Sequence, residues 1–334
     1  MSKELLDYVS RVAKMVNDVI LENVKGPTPE LYSAALHYVK AGGKRLRPAV
    51  VFLVGEGLGC RNAEALAYVG AAVEVLHTYT LIHDDIMDKD TVRRGVPTVH
   101  VVWGVDMAIL SGDLLYAYSF HLLSKSVDKG LDTWQVVEML RALTWASIEL
   151  AEGQAMDMEF EKRDDVHISE YLEMIRKKTA ALFEACAALG AIAARAGADI
   201  VGKMREVMRL AGIAFQIKDD VLGITVATEK LGKPRYSDIR EGKKTLPIII
   251  ALERVSPSER EYLLNVLKKR LSSEQDVEKA AKIIEKSGAI EESERMSRDY
   301  VTKALELLDS IPFSDTDKKH LLKELIRFVV ARGY

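Results

Sequence analysis

Asp84, Asp85 and Asp88, and far downstream Asp219 and Asp220, place five carboxylates in two short stretches of helical apolar spacing. On an ideal helix of about 100° per residue, Asp88 lies roughly 40° from Asp84 and His77 roughly 20° from it, so the three share a face; Asp85 points about 100° aside. Inward-facing carboxylates one turn apart repel each other and are costly to desolvate, so they are kept where a cation neutralises them. Mg²⁺ suits such a pair, because it retains waters and takes one or two carboxylates while phosphate oxygens complete its octahedron. One acidic run alone reads as a solvated helix end. Two of them, accompanied by local cation clusters, point to a divalent-metal site for a phosphorylated substrate.

The cations lie in separate segments. Gly42-Gly43-Lys44-Arg45-Leu46-Arg47-Pro48 sets three positive side chains between a double-glycine helix stop and a proline suited to a first helical turn. Free N–H groups and dipole at a helix start, reinforced by Lys and Arg, can grip a diphosphate. Arg93-Arg94 follows the first acidic stretch. Lys178-Thr179 lies in a helix with an apolar opposite face, and Gln216 stands one turn before Asp220, where its amide dipole can be aimed at a reacting centre. Lys233, Lys243 and Lys244 sit among glycines after the second acidic pair.

These residues need elements to hold them, and the periodicity supplies helices almost throughout. Period-two runs are nearly absent, which makes the chain all-α. Leu66, Val69, Val73 and Leu76 lead into the first acidic stretch at three- and four-residue steps, so Asn62 to Asp88 reads as one helix with Asn62 as N-cap. Breaks at 42–43, 95–97, 162–167, 231–244, 256–257 and 311–312 divide the chain into on the order of ten or more helices. Ala180 to Ala198, rich in Ala and Gly, reads as a buried central helix. No linker or shift in composition interrupts the 334 residues, so one domain over 1–334 is expected. With 47 basic and 50 acidic residues, a net charge of −3, nothing marks a nucleic-acid site. Cys60 and Cys186 are too few for a disulfide framework and fit a reducing cytosol. The first 22 residues mix charges through a helical pattern unlike a signal peptide, and no uncharged apolar run approaches membrane-spanning length.

The ordered blocks GGKRLRP, HTYTLIHDDIMDKDTVRRG, GQAMDM, KKTA, FQIKDD, LGK and GKKTLP resemble the signature series of the trans-isoprenyl diphosphate synthase family over nearly the whole chain. The resemblance implies a single helical bundle of the isoprenoid synthase type with a deep central cavity, and a homodimer. It implies Mg²⁺ held by Asp84 and Asp88, with Asp85 beside them, and by Asp219 and Asp220 from the opposite wall. Arg93, Lys178 and Lys233 would hold an allylic diphosphate. Lys44, Arg47, His77 and Arg94, assisted by Arg45 and Lys243, would hold isopentenyl diphosphate. Thr179 and Gln216 would stabilise an allylic cation, with Gln154 and Asp157 in support. One departure is Gly223, where many members carry a third aspartate.

Within the family, bulky residues upstream of the first acidic motif form the cavity floor. Tyr79, with Leu76 a turn deeper and small Thr80 beside it, implies a twenty-carbon product, geranylgeranyl diphosphate; farnesyl and geranylfarnesyl diphosphate are the alternatives. A terpene cyclase would not need the cations of 42–48, and a non-catalytic modulatory subunit would not need all five aspartates.

Overall fold

The computed structural model describes residues 1–225, 236–268 and 273–330. The helices it contains are α1 (Lys3–Asn23), α2 (Pro29–Ala35), α3 (His37–Ala41), α4 (Leu46–Gly57), α5 (Ala63–Asp88), α6 (Val99–Trp103), α7 (Val105–Ser124), α8 (Thr133–Phe160), α9 (Ile168–Ile175), α10 (Ala181–Ala193) and α11 (Ala198–Thr225). They continue with α12 (Ser237–Glu241), α13 (Leu246–Arg254), α14 (Pro257–Lys268), α15 (Glu274–Lys286), α16 (Ala289–Asp309) and α17 (Thr316–Val330). The all-α expectation holds. Among the described residues the only sheet is a two-residue hairpin, β1 (Val92–Arg93) with β2 (Val96–Pro97), in which Arg93 faces Val96. Arg94 and Gly95 both take positive φ, 53° and 76°, as a two-residue turn of the primed type requires.

The chain divides into two compact units: Met1–Trp145 with Leu182–Arg205 and Leu308–Leu325, and Ala146–Ala181 with Glu206–Leu307 and Ile326–Tyr334. In the first, α5 packs against α1, α4 and α7. Its N-terminus is capped as expected, the Asn62 side chain accepting from the Ala65 N–H. α5 is apolar on nearly every side, the composition of a helix surrounded by neighbours. It is long and apolar enough to cross a membrane, but Glu74 interrupts the apolar run, as expected from sequence, and 78% of its most apolar window is buried inside the protein. α10 is buried along its length as expected, and Gly190 lets it approach α4 so closely that a Cβ there would lie 2.5 Å from the Val51 carbonyl oxygen.

The second unit has its own apolar core, in which Tyr171, Ile175, Ile217, Ile248, Val277 and Ile284 meet. Between α9 and α10 the backbone widens into a π turn at Arg176–Ala180. Part of the stretch expected as a loop over 231–244 is the short helix α12.

Candidate functional site

In the first unit, the basic turn before α4 is shaped by its glycines. Gly43 has φ 146°, and a Cβ there would lie 2.6 Å from Arg45 Nη1 and 2.9 Å from Arg94 Cζ, so two guanidinium groups occupy the space a side chain would fill. Arg45 turns inward. It is 3% exposed, donates to the Asn17 side chain and to the Gly42 and Val39 carbonyls, and pairs with buried Glu74 at 3.0 Å. Its charge shapes the turn. Arg94 donates to the Tyr38 and Gly42 carbonyls and lies 3.7 Å from Glu74. Lys44 is exposed.

Arg47 stacks over the Phe183 ring at 4.6 Å and donates to His77 Nε2 at 3.1 Å. Because arginine has no acceptor, Nε2 must carry the lone pair and Nδ1 the proton. Burial, reinforced by the guanidinium groups of Arg47, Arg94, Arg93 and Arg45, holds the imidazole neutral, well below the usual histidine range. The structure thus brings His77 and Arg47 together, as the sequence reading expects.

Asp84 and Asp88 are half-buried at the end of α5. Asp85 is fully buried and accepts from the Tyr38 hydroxyl and from Arg93. Burial pushes its carboxyl up, while Arg93 and Tyr38 pull it down. Arg93 also binds Asp90 at 3.1 Å, so Asp85 and Asp90 fix the guanidinium within the field of Asp84. Tyr38 carries no signal of this role in sequence, since it lies 47 residues away.

Tyr79 packs its ring against Tyr116 of α7 (centroids 5.1 Å apart) and His83 (5.0 Å), and Tyr116 continues to Phe120 at 5.0 Å. Leu76 is fully buried, and the Thr80 hydroxyl donates to the His77 carbonyl. Tyr116 and Phe120 were missed, although an aromatic pair four residues apart on an apolar helix was a signal available in the sequence.

In the second unit a hydrogen-bonded chain runs through the other expected residues. Thr179 donates its hydroxyl to Gln216 Oε1 at 2.7 Å, Gln216 donates to Asp220 Oδ1 at 2.8 Å, and the Tyr171 hydroxyl donates to Asp220 Oδ2 at 2.5 Å. Burial, with Asp238 and Asp219 adding repulsion, pushes the Asp220 carboxyl up to about 8 against those two hydrogen bonds. Lys178 and Lys243 converge on Asp157, at 2.6 and 3.1 Å, and Lys243 also reaches Glu161 at 3.0 Å. Burial alone would raise the Asp157 carboxyl, but the two ammonium groups outweigh it and hold it below the ordinary range. Gln154 is buried one turn before Lys178's partner on α8. A Cβ on Gly223 would lie 2.8 Å from Asp238 Oδ2, so the carboxylate of Asp238 stands where a side chain at 223 would begin. Lys233 lies outside the described residues.

The donor chemistry fits a hard divalent cation. Asp84 and Asp88 in the first unit, and Asp219 and Asp220 in the second, offer only carboxylate oxygens, and the crowding of acids around buried Asp220 is the environment a cation relieves. Among the described residues no three acidic, histidine or cysteine side chains form a ready cage.

The family model for polyprenyl synthetase matches residues 28–284. Geranylfarnesyl diphosphate synthase of Aeropyrum pernix is 44% identical over 320 residues, 95% of this chain and 99% of that one. The crystal structure of geranylgeranyl pyrophosphate synthetase from Pyrococcus horikoshii Ot3 superposes with a TM-score of 0.91 at 39% identity, covering 99% of each chain. That of polyprenyl synthase from Caulobacter crescentus CB15, complexed with calcium and isoprenyl diphosphate, gives 0.90 at 34% identity over 98% of each.

Proposed function

The chain belongs to the polyprenyl synthetase family, and from that premise we propose that it is a trans-prenyltransferase that condenses isopentenyl diphosphate with allylic diphosphates, ending at geranylgeranyl diphosphate. Asp84, Asp88, Asp219 and Asp220 would hold Mg²⁺, consistent with the calcium bound by the Caulobacter relative. When bound, Mg²⁺ neutralises charge developing on the diphosphate leaving group. Arg93 and Lys178 add protein cations to that diphosphate, and Lys233 is assigned there by its place in the motif series. Lys44, Arg47 and Arg94, with the neutral His77 ring as a hydrogen-bond donor through Nδ1, bind isopentenyl diphosphate, which needs protein cations because it brings no metal of its own.

The carbon–oxygen bond of the allylic substrate breaks heterolytically, leaving diphosphate and an allylic cation. Thr179 meets that cation with lone pairs, because its proton is committed to Gln216. The alkene of isopentenyl diphosphate attacks, forming the new carbon–carbon bond, and the proton lost from the adduct goes to the released diphosphate. The observation that carries the reading is the hydrogen-bonded series Thr179–Gln216–Asp220, which links a hydroxyl aimed by an amide directly to a cation-seeking acid.

The Aeropyrum relative favours a second product, geranylfarnesyl diphosphate. Tyr79, backed by Tyr116 and Phe120, supports the shorter one. The protein acts as a homodimer in a reducing cytosol; exposed Val101 on α6 and Val105, Ile109 and Leu110 on α7 are apolar side chains available to a second copy. Residues 1–334 make one domain, since each compact unit is assembled from separated segments. Mass analysis of products from dimethylallyl, geranyl and farnesyl diphosphates, each with isopentenyl diphosphate, tests reaction and length together. Twenty-carbon diphosphate from all three supports the reading, and no condensation with any of them overturns it.

A further inference from the structure

Glu149, Gly153 and Asp157 stand four residues apart and so on one face of α8. Their contacts climb the π turn in order. Glu149 takes Arg176 at 2.6 Å and Lys177 at 3.2 Å, and Asp157 takes Lys178 at 2.6 Å. Between them, a Cβ on Gly153 would lie 2.3 Å from the Lys178 nitrogen, 2.8 Å from its Cα and 2.9 Å from the Lys177 carbonyl carbon. Those are backbone atoms, which no rotamer change can move aside. Any side chain at 153 must therefore push α8 and the π turn apart. Glycine weakens a helix interior, so its presence in the middle of α8 needs a reason, and this close approach supplies one.

The π turn inserts extra backbone into the helix, a device that recurs at functional sites. Here it sends Arg176 and Lys177 to Glu149, while the next two residues turn to Asp157 and Gln216. We propose that Gly153 is a positioning residue of the prenyl transfer: by lacking a side chain it seats the π turn against α8 and so sets where the Thr179 oxygen and the Lys178 ammonium are presented. The proposal rests on the role given above to Thr179. Gly153 touches no substrate in this account; it acts through the backbone of residues 177 and 178.

The test compares Gly153→Ala, Thr179→Val, the double variant and Glu149→Gln in steady-state kinetics and in amide hydrogen exchange of residues 177–181. Displacing the turn should lower kcat by on the order of a hundredfold in Gly153→Ala. KM for isopentenyl diphosphate should stay within about twofold, because its cations lie on other segments. On the Thr179→Val background the same alanine should cost less than about threefold, since both changes remove one interaction. Glu149→Gln, which loosens the turn without adding bulk, should speed exchange at 177–181 and lower kcat by several-fold. Gly153→Ala at wild-type kcat beside a slow Thr179→Val would overturn the proposal alone. Thr179→Val at wild-type rate would remove the Thr179 role and the proposal with it. Should Gly153→Ala lose its helical signal, faster exchange in Glu149→Gln without a fall in kcat decides against the proposal.

Discussion

Asp157→Asn removes one negative charge from beneath two ammonium groups while keeping the side-chain shape. Asp157 and Lys243 are each 9% exposed and Lys178 is 24% exposed. Breaking a buried ion pair by removing one partner costs about 3–5 kcal/mol, mostly because a charge is left uncompensated. Two features place this site at the lower end: Lys243 keeps Glu161 at 3.0 Å, and Lys178 is open enough to swing into water. The loss should be about 3 kcal/mol at pH 7. Its pH dependence is fixed in sign by the depressed carboxyl of Asp157. A group whose folded value lies below its unfolded value, about 4 for aspartate, gives stability that is complete above that value and lost as pH falls through the folded one. Urea unfolding followed by circular dichroism should therefore show a gap of about 3 kcal/mol between wild type and Asp157→Asn at neutral pH, with unchanged slope, closing below about pH 4. Equal midpoints at pH 7, or a gap that persists undiminished in acid, would refute the claim that Asp157 anchors both lysines as an ion.

Arg47→Ala should raise KM for isopentenyl diphosphate by an amount corresponding to about 1.5–3 kcal/mol of lost charged hydrogen bonding, with a smaller change for the allylic substrate; the reverse order in steady-state kinetics would exchange the two substrate assignments. Tyr79→Ser should lengthen products to twenty-five carbons and beyond, and Tyr116→Ala should do so in part through the same ring contact, as read by mass analysis. An unchanged distribution in both variants would remove this aromatic row from control of length. Stripping divalent ions with a chelator should abolish turnover and adding Mg²⁺ should restore it, whereas turnover that survives the chelator contradicts metal assistance.

The sequence made the long elements legible. α5, its Asn62 cap and the shared face of His77, Asp84 and Asp88 follow from apolar spacing and local chemistry, as does the buried Ala-rich α10. Residue types in the basic turn were legible too, but not their division of labour. Arg45 and Arg47 are two residues apart and equally cationic. Only the missing side chain of Gly43 and the buried Glu74, 29 residues on from Arg45, turn one of them inward. The contact between Asp85 and Tyr38 was not legible for the same reason, since the two are remote in sequence. The π turn was invisible because one extra residue barely disturbs a helical pattern. Asp238 beside Gly223 could not be foreseen, as the space it fills exists only once α11 and α12 have packed.

Carboxylates acting through a metal ion stand at the centre of the proposed reaction. Asp84→Ala and Asp219→Ala, each purified with its helical signal intact, should lower kcat for condensation at saturating Mg²⁺ by on the order of a hundredfold or more, because the charge they help stabilise develops mainly in the transition state. Turnover close to wild type in either variant would contradict it.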